Sequence, residues 1–425
     1  VSWKRVERLL LRGGTVAGRA GRADVLVRGG VIESIGPALT PPSGCRVEDV
    51  AGLVLTPGFV DVHVHLRDPG APDSETLASG LEAAARGGIH HVFCMANTDP
   101  VNDAAGLTAD LVARARQLSP LSLHPVAAVT RGLRGTELTD FRELKAAGAG
   151  ALSNDGLPVE DAATLRKALE RAEEAGLKVL VHAEDRELAA GGAVDARIAA
   201  RLGARGIPVA AEDMGTLRDV GVALAAGLPL HVCHVSTVGA AEIVRRARQE
   251  GAGITAEATP HHLLLSYEDI PDRDTDFKMN PPLRAPADVR AVVEGLVDGT
   301  ISAIATDHAP HAPARKAVPL DDAPFGAIGL ETSFAVAHTA LVATGRLSLE
   351  RLLRLFVEGP AEIVGIPPPA LAVGRPAAIN LFDPQAPWEV VPERFASRSR
   401  NCPFKGRRLR GRIVGVVAGE AYRRF

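Results

Sequence analysis

The sequence predicts an α/β protein: a (β/α)8 TIM barrel with a small discontinuous β-sandwich built from both ends of the chain. Three observations carry this. Eight short apolar runs recur through the centre of the chain, with longer amphipathic Ala-, Leu- and Arg-rich stretches between them. The two ends lack that alternation and read as short strands between Gly-rich turns. The polar residues of the centre fall at the C-terminal ends of the apolar runs, where a barrel gathers its active site.

Taken in order, "RVERLLLRGGTVAG", "RADVLVRGGVIESIG" and "CRVEDVAGLVLTPG" are the N-terminal strands. "RPAAINLFDP" and "GRRLRGRIVGVVAGEAYRRF" return to that character near the end. The sandwich is therefore assigned to 1–55 plus 366–425, and the barrel to 56–365. Its strands are expected at "GFVDVHVH", "HHVFCMANTD", "LSLHPVAAVT", "AGALSNDG", "LKVLVHAED", "LPLHVCHVST", "GITAEATPHH" and "ISAIATDHAPH". Clear helical partners include "AAGLTADLVARARQLS", "ELTDFRELKAAG" and "GAAEIVRRARQEG". A doubly wound open sheet is the alternative, but no Gly-rich dinucleotide fingerprint follows any strand. "HAPHAPARKAVPLDDAPFG" has too many Pro, Ala and Asp residues for a regular element, and its loop, 309–325, is a candidate lid.

Composition narrows the function classes. At 425 residues the chain exceeds one small core, and a formal charge of −3 leaves no electrostatic footprint for nucleic acid. No stretch of about twenty apolar residues runs without a charge, so no membrane span is expected. "VSWKRVERLLLRGG" breaks its apolar run with charges and does not read as a signal peptide. Cysteines 45, 94, 233 and 402 lack C-x-x-C spacing, which argues against a zinc ribbon or a disulfide framework. A cytoplasmic protein is the expectation. The basic run "RSRNCPFKGRRLRGR" reads as a solvated strand surface.

The chemistry lies in the strand-end residues. In "VDVHVHLRD", His63 and His65 share one face of a strand, and Arg67 joins their row if the strand continues. Asn97, Asp155, His182, His234 and Asp307 close later apolar runs. Taken alone, His182 or His234 reads more readily as a core histidine than as a ligand. Four histidines and two aspartates, each ending an apolar strand, form a nitrogen and carboxylate set suited to zinc or another borderline divalent metal. His90 and His91 read as solvent-facing, His261 and His262 as structural or supporting, and His308 as hydrogen-bonding near the metal.

The motifs "PGFVDVHVHLRDPG", "MANTDP", "ALSNDG", "VHAED", "CHVST", "TPHHL", "KMNPPLR", "TDHAPH", "PFGAIGLET" and "SRSRNCPF" run in order from residue 57 to about 404. In them the chain resembles the class I dihydroorotases of the amidohydrolase superfamily. The resemblance implies reversible cyclisation of N-carbamoyl-L-aspartate to L-dihydroorotate, a step of pyrimidine (UMP) biosynthesis. It implies one or two zinc ions on His63, His65, Asp155, His182, His234 and Asp307, with Asp307 also shuttling the catalytic proton. It places the substrate on His65, Arg67, Asn97, Asn280, His311 and the Phe325–Gly326 backbone, with the Arg67 fork matched to a carboxylate. As partners it suggests a small-molecule substrate, a second copy of the chain and an aspartate carbamoyltransferase, with neither nucleic acid nor membrane.

One position sets the subgroup and two features depart from the pattern. Asp155 stands where many superfamily members carry a carboxylated lysine, as in the class I subgroup. Ala96 replaces the commoner proline of Met-Pro-Asn, and "APARKAV" is basic and apolar where acidic residues are usual. Hydantoinases and allantoinases, the nearest rival amidases, typically use the carboxylated lysine and lack the carboxylate clamp. A non-catalytic partner of a carbamoyltransferase is expected to have lost metal ligands, and this chain keeps all six.

Overall fold

The computed structural model describes residues 3–425. Its centre is a sheet of eight parallel strands hydrogen-bonded in chain order: β1 (Phe59–Val64), β2 (Ile89–Cys94), β3 (Ser122–Ala127), β4 (Ala151–Ser153), β5 (Val179–Val181), β6 (Leu230–Val232), β7 (Ile254–Ala258) and β8 (Ala303–Ile304). Extended chain beyond β8 nearly closes the ring. The Thr306 N–H donates to Asp61 Oδ1 at 3.1 Å, and the His65 N–H donates to the His308 carbonyl at 2.8 Å. The strands are shorter than the apolar runs because the chain turns left-handed just past their ends. Asp155, His234 and Asp307 have φ of 49°, 37° and 44°, a region that costs an L-residue energy and clusters at functional sites.

Val62, Phe93, Val126, Leu180, Cys233 and Ala303 belong to the core inside the ring. Helices cover the outside, burying Leu81, Leu111, Leu165, Val220, Val244 and Leu296 against it. Leu77–Gly87 shows why they form where they do: Thr76 and Ser79 make a reciprocal capping box, and left-handed Gly88 ends the helix. Among the described residues no helix is long and apolar enough to cross a membrane.

A second sheet, of nine strands, takes its members from both ends of the chain. Val54–Pro57 pairs antiparallel with Ala378–Glu389, and Leu9, Val25, Leu55, Ile379, Leu381 and Val417 share a core of their own. The chain passes from this sheet into β1 at Gly58, where a Cβ would lie 2.4 Å from the His90 ring. His90 is thus buried, not solvent-facing as the sequence suggests, and pairs with Asn380 at 3.0 Å. His91 is half-buried beside His124, with ring nitrogens 3.0 Å apart. Both belong to β2, and their partners come from distant sequence. The "RSRNCPF" segment also corrects its expectation. Ser399, Asn401, Cys402 and Phe404 are buried, and only Arg408–Ala418 continues as a strand.

Between β5 and the helix Val209–Ala226 the chain makes an excursion containing a two-stranded parallel ribbon, Val194–Asp195 with Gly206–Ile207. Arg284 ties it to the barrel. Its fully buried guanidinium reaches Asp195 Oδ2 at 3.1 Å, Glu212 Oε2 at 3.3 Å and the Ile207 carbonyl at 3.2 Å. Removing one partner of a buried ionic cluster strands the others, so Arg284→Ala is expected to lower stability by about 3–5 kcal/mol. Denaturant unfolding measures this, and an unchanged midpoint would show that the cluster contributes nothing net.

Candidate active site

The C-terminal ends of β1, β4, β5, β6 and β8 bring six side chains to one mouth. His63 Nε2 lies 3.3 Å from Asp155 Oδ1 and 3.6 Å from Asp307 Oδ1. His65 Nε2 lies 3.1 Å from Asp307 Oδ1 and 3.9 Å from Asp155 Oδ1. His182 Nδ1 and His234 Nε2 are 3.0 Å apart, and the His63 and His234 ring centres are 5.2 Å apart. His63, His65 and Asp155 offer ligand atoms all within 4.8 Å of one another.

Hydrogen bonding fixes which nitrogens face the mouth. A carboxylate only accepts, so His63 donates its Nδ1–H to Glu257 Oε1 at 3.0 Å. His65 Nδ1 is 2.8 Å from Asn97 Oδ1, with the Asn97 amide donating to Asp155. In both rings Nε2 then faces carboxylate oxygens. Among the described residues neither Asp155 nor Asp307 has a Lys or Arg within ion-pair distance. Two buried carboxylates crowded by imidazole nitrogens, with no Lys or Arg to balance them, make a donor set that fits a divalent metal.

The electrostatics agree. Burial pushes the Asp155 carboxyl up, but the His65, His63 and His182 imidazoles outweigh it and hold it well below the usual range. Burial would lower His63, yet its bonds to Asp155, Cys233 and Glu257 raise it well above the ordinary value. Burial and then the neighbouring His182 and His63 push His234 far down, and its Nδ1 is buried without a partner. An ionised Asp155 and a neutral His234 are the protonation states that ligation requires, while His63 must give up its Nε2 proton for that nitrogen to ligate.

Arg67 does not extend the histidine row. The strand stops at Val64, and Arg67 turns left-handed at φ 55°. Its Nε donates to the Pro310 carbonyl at 3.2 Å, and Nη2 is 3.5 Å from His311 Nε2. Among the described residues it has no ion-pair partner, although Asp155 and Asp307 are near enough to act on its charge. Burial lowers the His311 imidazole to about 3, and its Nε2–H donates to the Phe325 carbonyl at 2.7 Å. The Gly326 N–H is taken by the Lys278 carbonyl at 2.9 Å. Asn280 donates Nδ2–H to Glu184 Oε1 at 3.1 Å and lies 3.1 Å from His182 Nε2, while its Oδ1 is buried without a partner.

The other singled-out residues have structural partners. The His308 ring bonds Glu75 at 3.2 Å and accepts the Gly329 N–H, so both of its nitrogens are engaged outside the six-residue cluster. His262 holds the turn after Asn280 through the Pro281 carbonyl at 2.9 Å. Asp68 accepts the Leu77 N–H and pairs with Arg114 at 2.7 Å.

Sequence reasoning missed six residues. Glu257 and His231 form a buried pair behind His63, signalled by an acid in the apolar run "ITAEA". Glu184 bridges Asn280 and His182. Asn401, in "SRSRNCPF", donates to the Ala309 and Gly326 carbonyls at 3.0 Å each and joins two mouth loops. Lys316, in the loop read as basic, is buried and donates to the Thr275 carbonyl at 2.7 Å and Pro324 at 2.9 Å. Lys278 likewise binds the Leu320 carbonyl at 2.7 Å. Apart from the short helix Pro313–Lys316, 309–325 is irregular.

Known proteins resemble the chain along nearly its whole length. A family model described as dihydro-orotase-like matches residues 52–240. Dihydroorotase of Anaeromyxobacter dehalogenans is 45% identical over 418 residues, 97% of this chain and 96% of that protein. Dihydroorotase of Citrifermentans bemidjiense is 42% identical over 418 residues, 97% of this chain and 98% of that one. Among solved structures, dihydropyrimidinase from Brevibacillus agri aligns with a TM-score of 0.84 at 26% identity, covering 98% of this chain and 94% of its own.

Proposed function

Because the chain belongs to the dihydroorotase family, we propose that it interconverts L-dihydroorotate and N-carbamoyl-L-aspartate with zinc at the barrel mouth. The observation that carries the substrate is Arg67: a planar fork of donors without a carboxylate partner among the described residues, beside the metal-ligating cluster. A dihydropyrimidinase-like activity on uncharged rings is the rival that the structural likeness favours. It leaves the Arg67 charge without a purpose.

His63, His65, Asp155, His182, His234 and Asp307 would hold one or two ions. When bound, such a cation supplies Lewis acidity to the ring carbonyl and lowers the pKa of water to roughly 7. Asp307 accepts a proton from the attacking water as its oxygen bonds to the ring carbonyl carbon. It delivers that proton to the ring nitrogen as the carbon–nitrogen bond breaks. The reverse steps close carbamoyl aspartate with loss of water. Arg67 takes the substrate carboxylate, with Asn97 and His311 around it. The free Oδ1 of Asn280 receives a ring N–H at the amide edge, beside Phe325 and Gly326.

The purified protein is expected to contain close to one or two equivalents of zinc or a similar divalent metal. Stripping it with a chelator should abolish ring opening of dihydroorotate, and zinc should restore it. Full activity in metal-free protein, or faster opening of hydantoin or allantoin than of dihydroorotate, would overturn the assignment.

A further inference from the structure

Behind His63 runs a chain of hydrogen bonds to which no function is attached. His63 Nδ1 meets Glu257 Oε1 at 3.0 Å, Glu257 Oε2 meets His231 Nε2 at 3.0 Å, and His231 Nδ1 meets Thr255 Oγ1 at 2.9 Å. Glu257 is 0% exposed, and His63 and His231 are 1% exposed. The chain follows from strand geometry. Thr255 and Glu257 are two apart on β7 and share a face, and His231 of β6 is in register with Thr255.

The two bonds to Glu257 have a fixed direction. An ionised carboxylate can only accept, so both imidazoles donate to it. His63 therefore carries a proton on Nδ1 and turns Nε2 towards Asp155 and Asp307. His231 donates its Nε2–H to Glu257, and its Nδ1 lies against the Thr255 hydroxyl. The surrounding barrel core is apolar, with Val62, Leu180 and Ala303 in it. A buried anion there costs folding energy that a hydrophobic residue would not. Closing the barrel does not require it.

We propose that Glu257, braced by His231, is a positioning residue that sets how tightly the His63 side of the centre holds its metal. A carboxylate behind a ligating imidazole fixes its tautomer and ring direction and makes the outward nitrogen a better donor. His231 acts only through Glu257, by holding its second oxygen. The inference rests on the reading above that His63 is a ligand.

Competition with a chromophoric chelator gives the affinity of the full-length protein for Zn2+, and the visible spectrum of the Co2+ form reports its ligand field. Glu257→Gln is expected to bind Zn2+ about 10- to 100-fold more weakly and to shift the Co2+ spectrum, with circular dichroism unchanged. His231→Gln should weaken binding by less, about three- to tenfold, and add nothing in the double variant. Affinity within twofold of wild type in Glu257→Gln overturns the proposal. If that variant does not fold, the same result in His231→Gln overturns it. His63→Ala is the control for the underlying reading: if it binds Zn2+ as wild type does, His63 is not a ligand and that reading fails instead.

Discussion

Replacing Asp307 with Ala is expected to lower kcat by about 10²- to 10⁴-fold in both directions while leaving the fold intact. The side chain stands where β8 ends, turned into the mouth by a left-handed backbone at φ 44°. Its Oδ1 is 3.1 Å from His65 Nε2 and 3.6 Å from His63 Nε2, so it touches both members of the β1 pair. A group that takes a proton in ring opening must return it in ring closure, so the loss should be the same in each direction. Metal content measured on the same sample separates loss of the base from loss of a ligand. Asp307→Asn keeps a coordinating oxygen but not the basicity, and a rate near wild type in either variant would mean that another residue moves the proton.

The parts of the fold and site that could be read from the sequence share one cause: they are periodic or sit at strand ends. Eight apolar runs with amphipathic stretches between them are enough for a barrel, and barrel strands end at a common mouth. That rule brought His63, His65, Asp155, His182, His234 and Asp307 together without coordinates. The rule does not say where a strand stops. "VDVHVHLRD" keeps period two through Arg67, yet pairing ends at Val64 and the chain turns left-handed at Arg67, so that side chain reaches the mouth from a loop. Partners distant in sequence were illegible for a different reason. His90 looks solvated beside His91 because its partner, Asn380, lies in the second sheet. Glu257 and His231 occupy apolar strands where burial alone predicts valine or alanine. Only the closed ring shows that each has the other, and His63, for a partner. The arginines of "RSRNCPF" suggest a surface, while the asparagine that follows them, Asn401, is buried and joins two loops of the mouth.

Arg67 decides between a dihydroorotase and an amidase of uncharged rings, and Arg67→Ala is where the two predictions separate most. Hydrogen bonds to charged groups contribute about 1.5–3 kcal/mol each, and a carboxylate on a guanidinium fork makes two. Their loss should lower kcat/KM for dihydroorotate on the order of 10²-fold or more. A six-membered cyclic ureide without the carboxylate makes neither bond, so its kcat/KM should change little. The contrast also tests geometry. Arg67→Lys keeps the charge but presents a single ammonium instead of a planar fork, and should recover only part of the loss. The Arg67 Nε–H is already given to the Pro310 carbonyl, which orients the guanidinium and leaves its terminal nitrogens without a carboxylate partner among the described residues. Since Pro310 and His311 begin the loop that Lys316 ties to Thr275 and Pro324, the direction of the fork depends on that loop staying closed. Equal losses for the charged and uncharged rings would mean that Arg67 supports the loop and does not bind the carboxylate.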